Sequence, residues 1–293
     1  MRKDSVFNIV AALVFAVTII SFGAYLFHLD KKVDHISRPV HLFSPHQIES
    51  LNLSKTDFPD TMPHDLNKFC YIFCQQPLFW LAKGEHSFVF VTKNGAHVVK
   101  FLPLRQRPKV LQQMALSSQL AYDLLRAETG LVYLHLNRTA RIARGICLTD
   151  FYGQQHRICG DNTRFVVQLK ASPLFPTLFE LIKNGKIEEA KARIDQVIDL
   201  LQTIAEKKIS DGGEVSSLND VIGFTPERAI FVDTWEFFKA PYIDVKARMQ
   251  YELGVRLNPL KKWLDIVSPE LAEYYRCKRD AYLGVQSGHT QTT

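Results

Sequence analysis

The run from Val6 to Phe27 restricts this chain more than any other feature: 22 residues without one charged side chain. About 20 apolar residues in a helix span the hydrocarbon core of a bilayer. Asn8, Thr18 and Ser21 are its only clearly polar members. A cleaved signal peptide has an apolar stretch of about 7 to 15 residues and a small-residue cleavage site. Here the only match to such a site is Ser21-Phe22-Gly23. The sequence therefore predicts an uncleaved transmembrane helix over 6–27 after a short tail, 1–5, with the lipid bilayer as partner. The protein is expected to be single-pass and anchored at its N-terminus. Arg2 and Lys3 precede the run, and Lys31, Lys32 and Arg38 follow it. The positive-inside rule then gives close to a tie, so the side of the membrane stays open.

Residues 28–66 carry Pro39, Pro45, Pro59 and Pro63 among polar residues, which reads as a linker. The 20 Phe, 10 Tyr and 3 Trp of the whole chain provide ample apolar surface for a folded core and exclude wholesale disorder. A net charge of +6 beside a membrane helix is explained as well by anionic lipid as by nucleic acid, but no zinc spacing or arginine-rich run points to nucleic acid. Five cysteines, Cys70, Cys74, Cys147, Cys159 and Cys277, are too few for a disulfide scaffold of this length. Cys147 and Cys159 flank a turn-rich stretch and could face each other across a hairpin.

Leu78–Lys83, Ser87–Thr92 and Ala96–Leu102 read as three strands of a meander. Asn94-Gly95, the dipeptide of tight hairpins, joins the last two. Lys109 to Glu128 has helical apolar spacing, with Gly130 as its stop. Leu131–Leu136, Ala143–Phe151 and Phe165–Leu169 add strands, giving a sheet of five or six. Helices are expected from Phe175, over Ile187–Lys207, over Ala240–Leu253 and over Pro259–Leu283, with short strands in Phe224–Val232. Ser268-Pro269-Glu270 reads as a helix N-cap. The expected organisation is α+β: a β-rich N-lobe over 67–172 with an antiparallel sheet, a small helical C-lobe over 173–284, and a disordered tail, 285–293.

Within this frame Ala82-Lys83-Gly84-Glu85-His86-Ser87-Phe88-Val89 puts a glycine in the first turn of the meander. Lys100 stands on the third strand, in His97-Val98-Val99-Lys100. A glycine turn lets a backbone approach phosphates and a lysine neutralises them. After the long helix come Ile209-Ser210-Asp211, then Asn219, then Phe231-Val232-Asp233 closing an apolar run. Carboxylates at such positions suit Mg²⁺, which prefers oxygen ligands. Lysine, helix, Asp211, Asn219 and Asp233 follow the order of the parts of a protein kinase.

On these residues the chain resembles a distant kinase-like protein. More closely, it is similar to a family of chlamydial membrane proteins with kinase-like domains. That likeness rests on Gly84 to Phe90, Val99-Lys100-Phe101, Glu128 to Asn137 and Gly223 to Asp233, and covers about residues 70 to 240. The resemblance implies a two-lobed protein-kinase-like fold after the transmembrane helix, and carries no activity over. Its parts map residue by residue. Gly84, Ser87 and Lys100 would meet the cofactor, with Asp123 or Glu128 as the helical partner of the lysine. Asn219 and Asp233 would hold metal, and Asp211 would orient an acceptor hydroxyl.

Departures from the kinase pattern are several. Ile209 and Ser210 stand in place of the catalytic-loop histidine and arginine, and Asp233-Thr234-Trp235 lacks the glycine of the D-F-G triplet. The spacing from Asp211 to Asn219 is longer than the kinase loop. Three functions follow. A membrane-anchored pseudokinase would act as a binding or scaffold module for a protein partner, without cofactor. An active phosphotransferase would use ATP and Mg²⁺. An unrelated α+β membrane-associated domain would use neither.

Overall fold

The computed structural model describes residues 76–83, 87–102, 108–136, 145–158, 164–212 and 221–284, all within one unit of the chain. The expected transmembrane helix, linker and C-terminal tail lie outside the described residues, as do Gly84, Asn219, Cys70, Cys74 and Cys159. Among the described residues no helix is long and apolar enough to cross a membrane.

The meander forms as the alternation of its residues dictates: β1 (Leu78–Lys83), β2 (Phe88–Val91) and β3 (His97–Phe101) pair antiparallel in sequence order. The β2–β3 connection is wider than the expected two-residue turn. Thr92 and His97 close it, and the Asn94 side chain accepts from the Thr92 hydroxyl and the Ala96 amide. Only Gly95 takes a positive φ, +70°, whereas a type I′ turn needs two such residues.

Helix α1 (Pro108–Leu124) follows, then a single turn α2 (Arg126–Thr129). The long helix expected up to Glu128 breaks at Leu125. Gly130 then stops α2 in the left-handed conformation, its N–H bonding the Arg126 carbonyl. Leu111, Met114, Ala115, Ser118, Ala121 and Tyr122 form the buried stripe of α1, while Leu116 and Leu124 face solvent.

The remaining strands of the sheet are β4 (Leu131–His135), β5 (Ile146–Thr149), β6 (Gln155–Ile158) and β7 (Phe165–Leu169). The sheet has seven strands in the order β4-β7-β3-β2-β1-β5-β6, more than the five or six expected. It is also not wholly antiparallel, because β5 pairs parallel to β1. Consecutive strands β4 and β5 stand at opposite ends of the meander, so β5 meets β1 at the far edge instead of closing a hairpin with β4. Cys147 is a free thiol opposite Arg157 across the β5–β6 hairpin.

After the sheet, β8 (Ser172–Pro173) leads into α3 (Leu174–Lys183) and the long α4 (Ile187–Glu206). Ala190, Ile194, Val197, Ile198, Leu201 and Ile204 bury one face of α4 at helical spacing. Two short strands, β10 (Ile222–Phe224) and β11 (Ala229–Phe231), form a hairpin beside β8. β9 (Ile209–Ser210) pairs with β12 (Phe238–Lys239). Three helices close the chain: α5 (Val245–Tyr251), α6 (Asn258–Val267) and α7 (Pro269–Leu283). A π-helical turn, Glu252–Arg256, separates α5 from α6. Ser268 caps α7 through the Leu271 amide, with Pro269 in the first turn, as its sequence requires. The result is an α+β architecture, with a β-rich sheet region and a helical region sharing one buried cluster that runs from Leu131 and Val166 to Leu271 and Tyr275.

Candidate functional site

Strand alternation decides which side chains of the sheet reach the helical region. Val98 pairs with Gln168 and Lys100 with Val166, so Lys100 and Gln168 lie on one face of the β3–β7 pair. Gln168 donates to the Phe231 carbonyl at 2.7 Å and to the Thr129 carbonyl at 2.6 Å. The Lys100 ammonium donates to the next carbonyl, Val232. Two polar residues of one sheet face thus hold two successive carbonyls at the end of β11, immediately before Asp233.

Lys100 lies beside Asp233. Its side chain is only partly exposed and its ammonium is enclosed by protein. Burial therefore pulls its pKa from 10.5 down to about 8, against the attraction of the Asp233 carboxylate. The Asp233 side chain is itself exposed and accepts from the Trp235 amide at 3.3 Å, which shapes the turn after β11. Helix α1 grips the same turn. The Ser117 hydroxyl donates to the Thr234 carbonyl at 2.7 Å and accepts from the Phe237 amide at 2.6 Å.

Asp211, at the end of β9, faces the same place. It lines a small hollow with Val221, Asp233, Glu236, Phe237 and Arg256, about 20 Å³ in volume. That is room for about one water. Asp211 sits between two guanidiniums: Oδ1 accepts from Arg248 Nη2 at 3.0 Å, and Oδ2 lies 2.5 Å from Arg256 Nη2 as an ion pair without hydrogen-bond geometry. Glu252 completes a closed ring, 2.5 Å from Arg248 and 3.4 Å from Arg256. The helical geometry explains the ring. Four residues of α-helix turn about 400°, past a full circle. Four residues of the wider π turn fall short of one. The two errors cancel between Arg248 and Arg256, so both guanidiniums point at one acid. Burial pushes the Glu252 carboxyl above its usual range, although both arginines oppose this. Burial would lower Arg256, but Asp211 and Glu252 outweigh it and hold the group above its ordinary value.

The structure therefore brings together Lys100, Asp233 and Asp211 of the residues singled out in the sequence. It does not bring Asp123 or Glu128 to Lys100. Asp123 is exposed and accepts from Gln119 one helical turn away. Glu128 pairs with Lys207 at 2.7 Å, at the end of α4. The α1 residue that faces the Asp233 turn is Ser117. Ser87 is buried at the start of β2. Among the described residues no group of three His, Cys, Asp or Glu side chains is arranged to hold a metal. A larger hollow of about 550 Å³ lies elsewhere, lined by Gly95, Ala96, Lys170, Arg193 and Phe224 among others, and none of the singled-out residues that the structure describes lines it.

Sequence reasoning missed Gln168, Ser117, Arg248 and Arg256. Gln168 carried a signal, being the one polar residue inside an apolar strand. Ser117 and Ser118 carried another, as adjacent polar residues on a helix stripe that buries both.

No protein-family model and no curated protein matches the chain. Among the solved structures that match is one described as the crystal structure of Cex1p, with 12% identity and a TM-score of 0.34. The match covers 76% of this chain and 37% of that one, so this chain spans well under half of its length. A likeness at that score carries no argument about fold or function.

Proposed function

We propose that this chain is a membrane-anchored, two-lobed, kinase-like module that acts by binding, as a pseudokinase scaffold for a protein partner. Several features support the kinase-like reading. β1, β2 and β3 form a meander with Lys100 on the third strand, the place of the kinase lysine. Helix α1 follows β3, and its Ser117 touches the turn after Asp233. Asp233 stands just after a short strand, where the metal-binding aspartate of a kinase stands. The apolar run Val6–Phe27 supplies the anchor.

The observation that carries the choice of scaffold over enzyme is the state of Asp211. A general base must be free to accept the proton of its substrate. Asp211 is instead ion-paired with two guanidiniums, and the Lys100 ammonium is spent on a backbone carbonyl. Helix α1 also presents a serine, not a carboxylate, to this region. A degraded set of ligands is costly for phosphoryl transfer, which depends on positioning and charge stabilisation.

A second reading, an ATP- and Mg²⁺-dependent phosphotransferase, is favoured by the proximity of Lys100 and Asp233. Asp233 would hold the metal, with Asn219 if it reaches the site, and Lys100 the phosphates. The two readings separate in one experiment: thermal unfolding of the full chain with ATP, with and without Mg²⁺, beside an assay for released or transferred phosphate. The scaffold reading expects no turnover and no Mg²⁺-dependent stabilisation. Turnover that Asp211→Asn abolishes, or a Mg²⁺-dependent rise that Lys100→Ala and Asp233→Ala abolish, overturns it in favour of the second.

A further inference from the structure

The tip of the β5–β6 hairpin, at the outer edge of the seven-stranded sheet, presents Phe151 and Tyr152 to solvent at 63% and 58% exposure. Their rings meet edge to face at 5.6 Å. Two adjacent, largely exposed aromatics at a protruding turn are an unusual use of apolar surface.

The backbone beneath them is closed on itself. Asp150 N–H donates to the Gln154 carbonyl, and Gly153 N–H donates to the Asp150 carbonyl. The Asp150 carboxylate accepts from the amides of Tyr152 at 2.9 Å and Gln154 at 2.8 Å. Its other oxygen lies 2.7 Å from His156 Nε2. Four amides of the tip are thus satisfied without water, and the one carboxylate has a partner. Self-pairing of these amides lowers the cost of moving the tip out of bulk water. Arg157 on the exposed β6 adds a cation next to the rings.

We propose that this tip is a second membrane contact: Phe151 and Tyr152 enter the headgroup region of the same bilayer that holds the N-terminal run. The inference rests on the tether proposed above. Fifty residues, 28–77, separate that run from β1. A chain of that length can extend far enough for the sheet to meet the same surface. Aromatic rings with an apolar body and a polar edge settle at such interfaces. Anionic headgroups complement both the net charge of +6 and Arg157 beside the tip.

The test uses the full chain carrying Phe151→Trp, reconstituted into vesicles of phosphatidylcholine and phosphatidylserine, with a parallel set whose phosphatidylcholine acyl chains are brominated. The parent chain, with its three tryptophans, is the reference. Flotation is measured first. The expected result is that the chain floats and that the extra emission of the variant is blue-shifted and lost on brominated lipid. A floating chain whose extra emission stays unquenched overturns the membrane contact, whether that emission is red or has been shifted by a protein. A chain that does not float overturns the tether and this inference with it.

Discussion

Replacing Lys100 by methionine should make the protein more stable at neutral pH, although it removes the best-placed cation of the site. The fall of its pKa from 10.5 to about 8 is a penalty of about 3 kcal/mol on the charged form. Methionine fills a similar volume without that penalty, while the Val232 carbonyl loses its donor at a cost of about 1–2 kcal/mol. The net gain expected at pH 7 is about 1–2 kcal/mol, read by urea unfolding of the full chain. The pH dependence has a definite sign. Between pH 8 and 10.5 the unfolded chain keeps a proton on Lys100 that the folded chain has released, so wild-type stability rises relative to the variant with pH. By pH 10 the wild type should have recovered about 2 kcal/mol against the methionine variant. Destabilisation at pH 7 together with a flat difference up to pH 10 would refute the enclosed ammonium.

Arg256→Ala should cost about 3–5 kcal/mol, because it leaves Asp211 and Glu252 short of a cation in a buried ring. Replacing Arg256 and Glu252 together by Met and Leu should cost much less, since the Arg248–Asp211 pair remains, and equal losses in urea would contradict the ring. Ser117→Ala should cost about 1–3 kcal/mol and expose the Phe237 amide to exchange. Hydrogen exchange at Phe237 no faster than in the wild type would mean that Ser117 does not hold the turn.

What the sequence disclosed was local. The meander, the Gly130 stop, the α4 stripe and the Ser268 cap each depend on residues within a few positions of one another, and each is present. The parallel pairing of β5 with β1 depends on how the chain passes from one end of the sheet to the other, which periodicity does not encode. β6 escaped because Gln155-His156-Arg157-Ile158 is an exposed edge strand with almost no apolar signal. In the candidate site, Lys100 and Asp233 were legible because each ends or punctuates an apolar strand. The capture of Asp211 was not, because it depends on a π turn that aligns two arginines far along the chain. The acid partner expected for Lys100 on the helix failed for a related reason. Sequence distance placed Asp123 and Glu128 near enough, but the helix turns Asp123 to solvent and Glu128 lies beyond its break, against Lys207.

The central claim is that Lys100 and Asp233 meet at one place although the sheet and the β10–β11 hairpin supply them separately. An NMR titration of the Lys100 side chain, with labelled lysine and Lys100→Met for assignment, tests it directly. The account predicts a midpoint of about 8 that moves lower in Asp233→Asn, because the carboxylate supports the charged form. A midpoint near 10.5 that the asparagine leaves in place would contradict it.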